Sequence, residues 1–424
     1  MKIANNNKKY IFGVIGLGYV GLPLCMAAAE EKYATIGFDL NKQLCKNLNK
    51  GISHIEDIDS SRLKKIISAS LYKATSDFSL LANCDVISIC VPTPLNKIKD
   101  PDLSYLVAAA TTLSAFIKKG QTIILESTSY PGTTREIVLP ILLKNKKLKV
   151  GKDIFICFSP ERIDPGNKTW NIKNTPKIIG GITKNCCNNG IEFYSKIFDQ
   201  LVPVENSEAA ELIKVYENTF RMVNIALANE LSQICDKLNL NVWKILEATA
   251  TKPFGFMKFL PGPGIGGHCI PADPQYLAWK MKNLSFKTRL IDTAFEINTD
   301  IPNNIVEKII TILNEHGLAL KNAKILIIGI TYKKDVNDLR DSPAIEIINK
   351  LLHYQAHVKY YDPVCTKKAS FIVKDFIKKN KCPELNATTI KNFNLCVILT
   401  NHSNIDYNLI KTNAKALLDT RGVL

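Results

Sequence analysis

YIFGVIGLGYVGLPL, running from Tyr10 to Leu24, begins as a short β-branched apolar run, breaks into glycines and resumes as an apolar helix former. Gly16, Gly18 and Gly21 stand in G-x-G-x-x-G spacing between the expected strand and the expected helix. Each glycine has its own physical reason: Gly16 permits a tight turn, Gly18 lets a pyrophosphate approach the backbone, and Gly21 lets helix and strand pack closely. The helix N-terminus behind them favours an anion. Asp39 closes the next apolar run, TIGFDL, eighteen residues beyond Gly21. A carboxylate there accepts hydrogen bonds from a ribose diol and repels a 2′-phosphate, so the spacing predicts NAD rather than NADP. The bland alternative is a tight turn that holds no ligand.

Outward from this unit, apolar runs alternate with helical segments: DVISICVP, QTIILEST, DIFICFSP and PKIIGG. AKILIIGITYK, from Ala323, repeats the strand-to-glycine opening, and HVKYYDP, LCVILT and AKALLDT follow it. Short β-branched strands separated by helices predict an α/β chain with two doubly wound, Rossmann-like parallel-sheet domains. Ligands in such sheets bind outside the carboxyl ends of the strands. VPTP (Val91–Pro94) and ESTSYPG (Glu126–Gly132) are two such ends, which makes Thr93, Ser127 and Thr128 candidates for cofactor or water contacts. Each of these hydroxyls could equally satisfy its own turn.

Between the two domains the signal is helical. NSEAAELIKVYENTFRMVNIALANELSQICDKL, from Asn206, contains no glycine or proline, and Asn206 or Ser207 can cap it. Leu212, Tyr216, Val223, Leu227 and Ile234 form one apolar stripe, while Lys214, Asn218, Ile225 and Asn229 fall on another. A helix of roughly 30 residues spans about 45 Å and can join the domains and support a dimer. The expected domains are therefore residues 1–205, a central helical and dimerisation region 206–298, and 299–424.

Composition narrows the function classes. The 424 residues carry 46% hydrophobic and 22% charged side chains, an ordinary globular balance. The formal charge of +16 suits anionic substrates, but no aromatic platform is interleaved with the basic runs, so no nucleic-acid partner is expected. Twelve cysteines are scattered without CxxC or Cys/His ligand spacing, which predicts reduced thiols and no metal site. Asp335, Asp338 and Asp341 resemble a metal cluster, but their spacing suits turn capping better. The first residues contain no signal-peptide apolar core, and no apolar run is long enough to span a bilayer. The expectation is a cytoplasmic protein without a membrane partner.

One cysteine is differently placed. PFGFMKFLPGPGIGGHCIPADP, from Pro253 to Pro274, reads as a loop, yet it holds Cys269 with Asp273 four residues on. A dinucleotide domain plus a reactive thiol suggests one chemistry: an alcohol oxidised to an aldehyde, trapped on cysteine, oxidised again to a thioester and released by water as an acid. Lys214 is a candidate cation for the thiolate or oxyanion, and Asp273 can hold or deprotonate water. Gly262, Gly264, Gly266 and Gly267 would let the backbone approach phosphate and sugar.

With these residues the chain resembles the UDP-glucose/GDP-mannose dehydrogenase family over nearly its whole length. The resemblance rests on seven ordered motifs: GLGYVGLPL, VPTP, ESTSYPGTT, FSPERIDPGN, ELIKVYENTFRMVNIALANEL, TKPFGFMKFLPGPGIGGHCIPADP and GITYKKDVNDLRDSP. It is nearest the branch that oxidises C6 of UDP-N-acetylhexosamines, with UDP-N-acetylglucosamine the first choice. The family implies a four-electron oxidation with two NAD per UDP-sugar. By motif, Cys269 is the nucleophile, Lys214 stabilises the oxyanion with Asn218 beside it, and Asp273 orients water. Glu161 is implied in thioester hydrolysis and Thr128 in water binding. Tyr19 and Val20 of the glycine loop and Arg340 join the cofactor contacts. Arg162, Phe259, Tyr332, Lys333 and Arg421 join the substrate contacts, the last three from a UDP-sugar-binding C-terminal domain. His268 reads as a packing and hydrogen-bonding residue rather than an activator of Cys269. Lys258 and Ser129 are small departures that could alter sugar choice. The competing readings are a UDP-glucose or GDP-mannose dehydrogenase, a two-electron hydroxyacid dehydrogenase that needs no loop cysteine, and a nucleotide-sensing scaffold without turnover. A homodimer is the expected assembly.

Overall fold

The computed structural model describes residues 10–424 apart from positions 56, 57, 97, 165, 168, 268 and 366–378. It forms two compact units, Met1–Glu217 with Gln275–Ser285, and Asn218–Pro274 with Phe286–Leu424.

The first unit is built on eight strands: β1 (Ile11–Ile15), β2 (Ala34–Phe38), β3 (Tyr72–Thr75), β4 (Val86–Ile89), β5 (Thr122–Leu125), β6 (Phe155–Phe158), β7 (Lys177–Gly181) and β8 (Leu201–Pro203). Their order is β3-β2-β1-β4-β5-β6-β7-β8. VISI and TIIL are buried at every residue, as central strands covered on both faces must be. One face packs Leu22, Met26, Phe193 and Tyr194, and the other packs Leu106, Leu113, Val138 and Leu142. The sequence runs read as strands are all present. β3 and β8 were not anticipated, because YKAT and LVP are short and only partly apolar. A second difference is direction: β7 runs antiparallel to β6. No helix lies between Phe158 and Lys177 among the described residues, and an antiparallel neighbour needs no helical crossover.

The second unit has the all-parallel order β10-β9-β11-β12, from β9 (Lys324–Ile328), β10 (His357–Tyr361), β11 (Leu395–Ile398) and β12 (Leu417–Asp419). Helices Arg289–Glu315 and Pro343–His353 cover one face through Ile305, Ile309, Ile347 and Leu351.

The long helix is continuous from Ser207 to Lys237, and Asn206 caps it by accepting from the Ala209 amide at 2.8 Å. Its expected apolar stripe is largely exposed: Leu212 is 43% accessible, Tyr216 62%, Leu227 62% and Ile234 49%. The buried side is instead Val215, Met222, Ala226 and Asn229. Eleven of the twelve cysteines are buried, and all twelve are free thiols. Among the described residues no helix is long and apolar enough to cross a membrane.

Glu211 fastens the first turns of this helix to the segment after β5. Its buried carboxylate accepts from the amides of Gly132 (2.5 Å) and Thr134 (2.8 Å) and from the Thr134 hydroxyl (2.6 Å). Burial pushes it up from 4.5 to about 7, against the pull of those hydrogen bonds. A raised acid contributes stability that is complete below its unfolded value and is lost as pH rises through the folded one. Stability of the parent protein relative to Glu211→Gln should therefore fall between pH 4.5 and 7 and level off above. Thermal melts of both proteins across that range check this, and a gap independent of pH would refute it.

Candidate active site

The glycine loop follows β1 and turns as its spacing predicts. Gly16 has φ +92°, and a Cβ there would stand 2.5 Å from the Cys90 carbonyl. A Cβ at Gly21 would collide with the Gly16 carbonyl oxygen, so helix Gly21–Glu30 approaches as closely as it does only with glycine there. At Gly18 a Cβ would meet nothing within 4 Å. The middle glycine thus faces open space at a helix N-terminus, the cradle a pyrophosphate needs, and the residues fit the cofactor. Tyr19 is 48% accessible, and Val20 is half-buried beside it. Asp39, just past β2, accepts from the Leu17 amide at 3.1 Å and the Asn41 amide at 2.9 Å. The residue that would read the ribose therefore also holds the glycine loop.

Neighbouring strand ends complete this edge. Ser127 follows β5 and donates to the Val91 carbonyl at 2.7 Å, tying it to the segment after β4. Thr93 is buried, and its carbonyl accepts from the Tyr276 hydroxyl at 3.0 Å. Thr128 is half-buried, whereas the Ser129 hydroxyl is buried with no protein hydrogen-bond partner. After β6 the chain turns at Ser159–Arg162. The Glu161 carboxylate folds back onto the Ile163 amide, and the Glu161 carbonyl accepts from Lys214 Nζ at 2.6 Å. Lys214 is only 7% accessible, so it is no solvated helix lysine. Arg162 is engaged by the Glu217 carboxylate and the Pro176 carbonyl (2.7 Å).

In the second unit Cys269 is not in a loop. It is the first residue of helix Cys269–Asn283 and is exposed. The positive end of the helix dipole lies at this thiol and favours negative charge there. Asp273, four residues on, shares its face of the helix and is 3% accessible. Asn218 Nδ2 donates to Asp273 Oδ2 at 2.5 Å. Lys214 stands one turn before Asn218 on helix Ser207–Lys237. One hydrogen bond thus links the helix that starts at the cysteine to the helix that carries the lysine. His268 lies outside the described residues.

The glycines before Cys269 serve packing. A Cβ at Gly266 would stand 2.7 Å from the Asp341 carbonyl and from Tyr332, and Gly267 (φ +82°) lies against the Tyr332 ring. The Gly267 amide donates to the Arg340 carbonyl at 3.0 Å. Gly264 (φ +124°) borders Pro343, and Gly262 borders the Arg421 guanidinium. Arg421 donates to the Leu399 carbonyl at 2.7 Å, and burial pushes it down to about 10, still charged at neutral pH. The Phe259 ring meets Phe220 edge-on at 5.8 Å. Tyr332 and Lys333 occupy the turn after β9, half-buried. The Arg340 guanidinium pairs with Asp338 at 2.6 Å, and Asp335 accepts from the Ser403 amide at 2.8 Å and its hydroxyl at 2.6 Å.

Two groups were missed in the sequence. Lys177 and Glu126 form a buried ion pair at the strand ends of the first unit. His402 and Asp362 are both fully buried beneath the Tyr332 turn. Lys177 could have been noticed as a lysine opening the otherwise apolar strand KIIGG.

The chain matches known proteins along nearly its whole length. The UDP-glucose/GDP-mannose dehydrogenase family matches in three successive parts: its NAD binding domain over residues 11–200, its central domain over 208–300 and its UDP binding domain over 326–424. A UDP-N-acetyl-D-glucosamine 6-dehydrogenase of Pseudomonas aeruginosa is 34% identical over 82% of each chain. A UDP-N-acetyl-D-mannosamine dehydrogenase of Methanocaldococcus jannaschii is 34% identical over 97% of this chain and 92% of its own. The solved structure of a UDP-D-ManNAc dehydrogenase from Pyrococcus horikoshii superposes with a TM-score of 0.87 at 30% identity, covering 98% of this chain and 96% of that one. The chain belongs to the UDP-glucose/GDP-mannose dehydrogenase family and is an NAD-dependent oxidoreductase.

Proposed function

We propose that this enzyme oxidises C6 of a UDP-N-acetylhexosamine to the uronic acid, in the cytoplasm, for a surface polysaccharide precursor. UDP-N-acetylglucosamine is our first substrate and its C2 epimer UDP-N-acetylmannosamine the second, since relatives named for each sugar are similar to this chain. The observation that carries the reading is the Asn218–Asp273 hydrogen bond, which couples the helix beginning at Cys269 to the helix bearing Lys214. Twelve free thiols support a reducing compartment.

Bound NAD supplies the acceptor for both hydrides, one per molecule. Thr128 and the ribose-facing Asp39 border the cofactor edge. The Cys269 thiolate adds to the C6 aldehyde, and the resulting thiohemiacetal loses the second hydride to become a thioester. The Lys214 ammonium and the Asn218 amide stabilise negative charge on the C6 oxygen in both stages. Water, held by Asp273, Glu161 and Thr128, then attacks the thioester; the acid leaves and the thiol is restored. Lys333, Tyr332, Arg421, Arg162, Phe259 and the backbone of Gly264, Gly266 and Gly267 contribute the sugar-nucleotide contacts, with Arg340 toward the cofactor. The exposed stripe Leu212, Tyr216, Leu227 and Ile234 supports a homodimer, since apolar side chains at helical spacing gain from burial against a second copy.

An NADH-forming assay over UDP-sugars tests the reading, with two NADH per uronic acid expected; one NADH per product would support a two-electron dehydrogenase instead. Cys269→Ala should lower uronic acid formation by roughly a thousandfold or more while UDP-sugar and NAD still bind in calorimetry. Near-parental turnover of that variant would remove the nucleophile assignment. Because Asp39 faces a ribose carrying no phosphate, kcat/KM with NADP should be roughly a hundredfold or more below that with NAD. Asp39→Ser should narrow the ratio, and equal use of both cofactors by the parent enzyme would contradict it. Sedimentation at micromolar concentration should give a dimer, with Leu227→Lys shifting it toward monomer; an active monomer rules the dimer out.

A further inference from the structure

Three strand ends of the first unit meet at one buried charge. Lys177 opens β7 with its side chain 7% accessible, and its ammonium faces Glu126, whose side chain is 1% accessible. Nζ also donates to the carbonyls of Pro160 (2.9 Å) and Ser159 (3.5 Å), so all three of its N–H groups have acceptors. The other Glu126 oxygen accepts from the hydroxyl of fully buried Tyr194, which lies 3.0 Å from the Ser88 hydroxyl on β4. The Phe198 ring stands 5.3 Å from Nζ.

Such a pair is poor evidence for stability, because apolar side chains of similar volume often do as well in its place. What it does uniquely is hold backbone. The carbonyls of Ser159, Pro160 and Glu161 are consecutive acceptors: Lys177 takes the first two, and Lys214 takes the third at 2.6 Å. Beside this corner lies a small recess bordered by Val20, Leu24, Glu161, Arg162 and Lys177. Glu126 itself immediately precedes Ser127 and Thr128. Burial pushes Glu126 up and Lys177 pulls it down, so removing the lysine removes the largest opposing pull on this buried carboxyl.

We propose that Lys177, Glu126 and Tyr194 are positioning residues that set the backbone of Glu161 and of Ser127–Thr128 for the hydrolytic half of the reaction; this rests on the thioester reading above. None of the three touches substrate in this scheme. They act through the two segments whose side chains handle the attacking water.

The test compares the parent enzyme with Glu126→Gln, Tyr194→Phe and the double variant Glu126→Leu/Lys177→Met, which removes both charges together and leaves no unpaired buried ion. The double variant should fold with a melting temperature close to that of the parent. Its NAD affinity by calorimetry and its KM for the UDP-sugar should be unchanged, while kcat falls by roughly a hundredfold. Rapid-quench mass spectrometry should find a sugar acyl group on the chain, formed in a burst of NADH and released slowly. Tyr194→Phe and Glu126→Gln should fall between. An unchanged kcat in the double variant overturns the proposal. So does a loss of kcat matched by loss of folding or of NAD binding, since the network would then serve the domain as a whole. If the parent enzyme and all variants lack an acyl adduct and Cys269→Ala keeps its activity, the cysteine route fails. The positioning claim is then decided by the split between kcat and KM alone, with unchanged kcat again overturning it.

Discussion

The structure depends on how closely one helix can approach one strand. At Gly21 a side chain would collide with the Gly16 carbonyl, and at Gly16 it would press on Cys90 after β4. With hydrogen in both places, helix Gly21–Glu30 seats against the sheet at the carboxyl end of β1, between β2 and β4. That contact sets which edge of the sheet is open. Asp39, Thr93, Ser127 and the Ser159–Arg162 corner all follow strands that end on this edge, so their proximity follows from topology before any side chain is considered. Asp39 also holds the Leu17 amide, so the carboxylate proposed to read the ribose helps to keep the glycine turn.

Much of this was legible in the chain. Strands such as VISI and TIIL are wholly apolar because both faces are covered, and no polar alternation confuses them. The long helix was legible through its uninterrupted sequence, but the role of its stripes was not. Periodicity marks Leu212, Tyr216, Leu227 and Ile234 as one face without saying whether that face turns toward the chain's own core, and it does not. The Cys269 segment misled for a different reason. Pro271 and Pro274 read as loop punctuation, yet a proline in the first turn loses nothing, since the amide it lacks has no helical partner there. Pro274 lies deeper and is accommodated within helix Cys269–Asn283. The thiol is exposed, as a loop position would be, but its setting at a helix start was hidden by the residues that usually stop helices.

Charge was the least legible property. A formal +16 carries many lysines, and a lysine ordinarily sits on a solvated face. Lys177 and Lys214 break this rule, at 5% and 7% accessibility, and both direct their ammonium groups at carbonyls of one corner. Composition cannot reveal this, because a buried lysine is defined by acceptors far away in sequence: Glu126 is 51 residues from Lys177, and Glu161 is 53 from Lys214. A buried ammonium needs such acceptors already in place, so the burial of each lysine and the shape of the corner presuppose one another.

The second unit uses the same device with different chemistry. Asp362, after β10, is fully buried and accepts from the amides of Ile330 (2.7 Å), Thr331 (3.1 Å), Val364 (2.9 Å) and Cys365 (2.8 Å). Burial alone would push it up, yet the hydrogen bonds from His402, Ile330 and Cys365 hold it down to about 2. The Asp335 amide donates to His402 Nδ1 at 3.0 Å, so that nitrogen is the acceptor and Nε2 carries the proton that faces Asp362 at 3.2 Å. The imidazole therefore transmits the position of a buried carboxylate to Asp335, whose backbone is left-handed at φ +58°. Between the two ends of this chain of contacts lie Tyr332 and Lys333. In both units, then, a buried acid just beyond a strand fixes a turn through an intermediary, lysine in one and histidine in the other. The half-buried side chains of Glu161, Tyr332 and Lys333 sit on the turns rather than in the networks. This arrangement lets polar side chains stand on a turn while the geometry of its backbone is decided where water cannot compete.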